Sequence, residues 1–164
     1  MATWATRKNL HVDRTACPWL VRRFIDPQAK FVFVGPRERG PRASRRFDML
    51  DAEFTHEGPR CTFEVMVAKL GLADDRALLE MGLIVRGADI STLKRKRPEA
   101  EGLEAIINGI QATVPDDAEK LRLTHPLYEA LYAYCQLKVR GRKSRDPRRP
   151  TLRTARVVKD HLAE

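Results

Sequence analysis

The sequence predicts an α/β domain: a small, partly parallel sheet with helices packed on it, continued by a helical C-terminal half. Three observations lead there. A strand pattern, a helical pattern and a second strand pattern follow one another within about 35 residues, the βαβ arrangement that pairs strands in parallel. From Thr62 onward the chain reads as a series of helices, punctuated by Gly71, Pro98 and Pro126. A chain of 164 residues with 43% hydrophobic content also has enough apolar side chains for one buried core.

The elements follow in order. Thr3 to Thr6 alternates and carries Trp4, which suits a short strand. In "VDRTACPWLVRRF", Ala16, Leu20 and Phe24 recur at helical spacing. Pro18 fits best in a first helical turn, where its missing N–H has no partner to lose, with Asp13 or Thr15 as the cap. "AKFVFVG" is a buried strand closed by Gly35 and Pro36, and residues 36–46 form a charged loop. "DAEFTHEG" reads as a further strand that turns at Gly58. Thr62 then caps a helix ended by Gly71, Asp74 and Asp75 open the next, and Pro98 begins another. Asp116 and Asp117 start a short helix, and Pro126 opens the last one, "LYEALYAYCQLKV". The sequence shows no internal repeat.

Composition excludes some functions. There is no apolar run near the ~20 residues of a membrane span. The N-terminus has no continuous apolar signal region, so the expected location is the cytoplasm. Three cysteines, an odd number, suggest thiols rather than a disulfide framework. The net charge of +9 is unevenly distributed: residues 138–164 hold 10 Lys and Arg against 3 Asp and Glu, and residues 1–137 hold 21 against 19. The expected organisation is therefore a globular domain over 1–137 and a basic, flexible tail over 138–164. Such a tail is first a solvated segment and second a nucleic-acid contact.

Three clusters carry chemistry. Cys17, placed at a helix start with Arg22 and Arg23 nearby, is a candidate reactive or liganding thiol, or a packed one. "EFTHEGPRCTFE" gathers Glu53, His56, Glu57, Cys61 and Glu64, donor types suited to a borderline metal, although no spacing matches an established zinc pattern. "IVRGAD" sets Arg86 and Asp89 around Gly87 as an anion fork, a ligand pair or a helix C-cap. His11 has no obvious partner.

Taken together, "TWATRKNLHVDRTACPWLVRRFIDPQAKFVFV", "FDMLDAEFTHEGPRCTFEVMVAKLGL", "IVRGADI" and "PLYEALYAYC" resemble, in that order, the C-terminal domain of the ChrB-type chromate resistance proteins. The resemblance runs from about Trp4 to Cys135 and implies a bacterial cytoplasmic protein linked to chromate resistance or its regulation. By motif it draws attention to Asp13, Arg14, Cys17, Trp19, Arg22 and Arg23, then Glu53, His56, Cys61 and Glu64, then Arg86 and Asp89.

Two readings follow. In the first, the domain binds or senses chromate or a similar oxyanion: Arg14, Arg86 and one of Arg22 or Arg23 hold the anion, and Cys17 and Cys61 are redox-reactive thiols. In the second, Glu53, His56, Cys61 and Asp89 form a metal or acid–base centre, with one divalent transition metal as cofactor and Cys17 as ligand or nucleophile. The acidic residues favour the second, because they repel a dianion unless a cation sits among them. A DNA-associated regulator acting through the basic tail is a third reading.

Overall fold

The computed structural model describes residues 1–90 and 97–144. Strand β1 (Thr3–Arg7) lies at the centre of a three-stranded sheet, paired in parallel with β2 (Lys30–Val34) on one side and β3 (Arg45–Arg46) on the other. Trp4 stands opposite Phe31 in one ladder and Arg45 in the other. Trp4, Ala5 and Thr6 are buried. The helix α1 (Val12–Phe24) crosses over between β1 and β2, so the expected βαβ unit is present.

Two expectations about α1 are corrected. The helix starts at Val12, which places Cys17 in its second turn and Pro18 inside it. Pro18 has no amide, so the Arg14 carbonyl lacks the donor that residue i+4 would supply. The N-cap is His11, without a side-chain cap bond, rather than Asp13 or Thr15. The Thr15 hydroxyl instead meets the His11 and Val12 carbonyls and, at 2.7 Å, the Tyr128 hydroxyl of another helix. Burial of nearly the whole N-terminal two-thirds of α1 compensates for the interior proline.

The strand expected in "DAEFTHEG" is reduced to isolated bridges, Phe47 with Phe54 and Glu57 with Arg60. Left-handed backbone at Asp48 (φ 48°) and Asp51 (φ 56°) turns the chain before a ladder can extend.

α2 (Thr62–Lys69) begins after Cys61 with reciprocal bonds between Cys61 and Glu64, and Gly71 follows it at φ 76°. α3 (Arg76–Asp89) is capped by the Asp75 carboxylate, which accepts the Ala77 and Leu78 amides. It runs through Gly87 and does not end there. α4 (Pro98–Thr113) opens on its proline as expected. The two helices expected at its C-terminal side are one, α5 (Asp117–Ser144), with Pro126 in its interior. Tyr128, Tyr132 and Cys135 form its buried stripe, and α5 packs on α1 and α3. The expected boundary at 137/138 falls within α5, where Lys138 bonds Glu80 and Glu99. The rest of the basic tail, residues 145–164, lies outside the described residues.

Trp19 is the hub of the core. Its ring meets Phe63 at 6.4 Å, Phe24 at 5.8 Å and Tyr132 at 5.6 Å, while its indole N–H donates to Glu129 at 2.9 Å. The turn before α1 is held by Asp117, which accepts the Asn9 and Leu10 amides and pairs with the buried Lys120. That anchorage sets His11 and the first turn of α1 beside the end of α3. Among the described residues, no helix is long and apolar enough to cross a membrane.

Candidate metal centre

Three carboxylates converge on one imidazole nitrogen. His56 Nε2 lies 3.1 Å from Asp13 Oδ2, 3.4 Å from Asp89 Oδ2 and 3.5 Å from Asp48 Oδ1. One ring nitrogen carries at most one hydrogen, so a single N–H faces three acceptors. Donor atoms of Asp13, His56 and Asp89 all lie within 4.8 Å of one another.

Each acid is held from behind. Asp13, on the first turn of α1, is 1% exposed and accepts the Thr62 and Phe63 amides at 2.7 and 3.1 Å. These are orphan donors of the N-terminus of α2, an end of a helix that favours an anion. Asp48 accepts the Thr62 hydroxyl at 2.7 Å and Arg14 Nε at 2.7 Å. Asp89, the last residue of α3, turns Oδ2 to His56 and Oδ1 toward His11 Nδ1 (3.7 Å). His11 Nε2 in turn bonds Asn108 of α4 at 2.9 Å. Such outer partners orient the donors that face a metal.

The electrostatics follow from this packing. Hydrogen bonds to Asp13 and Asp48, stronger than the opposing effect of partial burial, push the His56 imidazole up to a pKa of about 10. Burial raises the Asp13 carboxyl above its ordinary value despite its bond to His56. Burial also works against ionisation of Asp48, but His56, Arg14 and Thr62 outweigh it and hold that carboxyl below the usual range. The Asp89 hydrogen bond raises His11 against the effect of its burial.

The expected site residues separate into groups. His56 and Asp89 come together as the second reading required, joined by Asp13. Glu53 is elsewhere, paired with Arg45 at 2.6 Å on the surface, and Glu57 pairs with Arg60 and Lys69. Of the expected Glu53, His56, Cys61 and Asp89, Glu53 therefore stands apart, and the donor atoms gathered with those of His56 and Asp89 are Asp13's. Cys61 is fully buried, accepts the Glu64 amide and bonds toward Asp13.

Cys17 and Cys61 are not stabilised thiolates. Burial first, and the neighbouring Asp13 next, push both thiols up. Glu64 accepts the Cys61 amide and faces Arg86 at 3.6 Å. The four arginines do not form one fork: Arg14 is on Asp48, Arg86 on Glu64, Arg22 over the Phe31 ring and Arg23 beside Glu129.

Asp48 and His11 were not singled out by the sequence. Asp48 had one signal, an Asp between the two apolar residues Phe47 and Met49 at a turn; Asp tolerates the left-handed backbone it adopts there. His11 had none, since both of its partners come from distant helices.

The fold and the site define a module of helices on a three-stranded parallel sheet, with an Asp–His–Asp cluster between α1, α2 and α3. The sequence matches the family described as "ChrB, C-terminal domain" over residues 4–135, and the chain belongs to that family. It is 38% identical to Protein ChrB of Cupriavidus metallidurans over 131 residues, which cover 80% of this chain and 40% of that protein. The chain thus spans less than half the length of that curated relative. No solved structure matches it.

Proposed function

We propose that this chain is a metal-dependent module of chromate resistance, acting in the cytoplasm, in which Asp13, His56 and Asp89 hold one divalent transition metal. The convergence of three carboxylate oxygens on His56 Nε2 carries this reading. A cation at that point replaces the shared proton and relieves the repulsion among the acids. One nitrogen and two carboxylate donors suit zinc, manganese or iron rather than a soft, thiolate-selected metal. The association with chromate resistance rests on family membership.

The metal also answers the objection to a dianion among carboxylates. His56 is 39% exposed, so the cluster is open to solvent on one side. Arg14 stands at that cluster and engages Asp48 through Nε, leaving its outer guanidinium nitrogens for a ligand. Chromate or a similar oxyanion would bind there as an oxygen ligand of the metal, steadied by Arg14. The thiols pack the core in this account.

A second reading is favoured by the His56 pKa of about 10, which keeps the imidazole cationic at neutral pH. In it, His56 and Arg14 hold the oxyanion directly. Calorimetric titration with chromate, before and after dialysis against a chelator, separates the two. Loss of binding on metal removal, restored by the metal, supports the first reading. Binding that survives chelation and disappears in His56→Ala supports the second.

A further inference from the structure

Away from the acid cluster, a cavity of about 530 Å³ opens between the C-terminal end of α1 and the N-terminal part of α5. Its size is within the range of small-molecule sites. The titratable side chains that line it are Arg22, Arg122 and His125, with no carboxylate among them. Pro27, Ala118 and Pro126 supply its apolar surface. Positions 118, 122, 125 and 126 share one face of α5, so the helix presents this wall as a unit.

The partners of these three side chains differ. The central carbon of the Arg22 guanidinium lies over the Phe31 ring, 4.9 Å from its centroid. A cation over a ring face is held by the ring's quadrupole, which uses none of its N–H donors. Among the described residues no carboxylate pairs with Arg22. Arg122 is bonded to Glu119 at 2.6 and 2.7 Å, an exposed pair three residues apart on one helix that yields its donors readily to a better anion. His125 is 3.8 Å from Glu129, beyond hydrogen-bond distance.

We propose that this groove binds a small phosphomonoester of nucleotide size, its phosphate between Arg22 and Arg122 and its body against Pro27, Ala118 and Pro126. Two guanidiniums match the charge of a phosphate dianion. A bare inorganic anion would leave most of the cavity unfilled. The inference is independent of the metal reading, which involves other residues.

Titration of the full chain with adenosine 5′-monophosphate, in chelator and followed by amide NMR, tests it. The expected result is saturable movement of the Arg22, Ala118, Arg122 and His125 amides. Affinity should fall about tenfold in Arg22→Ala, the loss of one charge-assisted hydrogen bond. Arg122→Gln, at an exposed position that leaves the fold intact, should fall similarly. Affinity unchanged in both variants overturns the proposal. So does inorganic phosphate binding as tightly as the nucleotide, or DNA moving these amides where the nucleotide does not.

Discussion

The Asp13 carboxylate on α1 accepts the Thr62 amide that opens α2 at 2.7 Å, across 49 residues of chain. This bond does two jobs. It satisfies the start of α2, and it fixes the orientation of an acid whose Oδ2 also faces His56.

Replacing Asp13 separates these roles. Asp13→Ala leaves the Thr62 and Phe63 amides buried without an acceptor and should destabilise the metal-free protein by about 3 kcal/mol. Asp13→Asn keeps one acceptor oxygen and should cost roughly half as much, while still weakening metal binding. Urea denaturation in chelator reads the difference; an Asp13→Ala variant as stable as the parent would contradict this arrangement.

His56 predicts a pH dependence. Its pKa is raised in the folded state, so its ion pairs stabilise the metal-free protein fully below the unfolded value near 6.5. That contribution is lost as pH rises through about 10. Melting temperatures in chelator should therefore show a gap between parent and His56→Gln that is largest near pH 6 and closes toward pH 10. A gap that widens over that interval would have the wrong sign.

The thiols should be inert in the folded chain. Cys17, Cys61 and Cys135 are all buried, and burial leads the causes that raise each of them, Cys135 to about 11. A disulfide reagent at pH 8 should modify none of the three rapidly and all of them in denaturant. Fast labelling of Cys17 or Cys61 in the folded protein would restore the thiol-based reading.

Gly82 sets the spacing between α3 and α2. A Cβ at this position would come within 2.9 Å of Glu64 Cγ, in a side chain already tied to the Cys61 amide. A helical Gly→Ala change ordinarily gains up to about 1 kcal/mol. Here Gly82→Ala should instead lose about 1–2 kcal/mol through overpacking, measured by urea denaturation. A gain would mean that Glu64 moves freely.

Much of the fold was legible because its signals are local. Asp75 as a cap, Pro98 as a helix start, Gly71 as a stop and the strand–helix–strand opening each depend on neighbours in the chain. Pro18 and Pro126 misled because packing on α1 and α5 outweighs one lost helical bond apiece. At the site, His56 and Asp89 could be named by residue type. Choosing Asp13 and Asp48 over Glu53 could not be done from spacing, since a left-handed turn at Asp48 points one acid inward while Arg45 keeps the other at the surface.

The central claim is tested most directly by the metal content of chain purified without chelator, measured by plasma mass spectrometry beside His56→Ala and Asp89→Asn. The account predicts about one zinc, manganese or iron per chain in the parent and a large loss in both variants, each still folded by circular dichroism. Parent protein that holds no metal, and takes up none on dialysis against these cations, would contradict it.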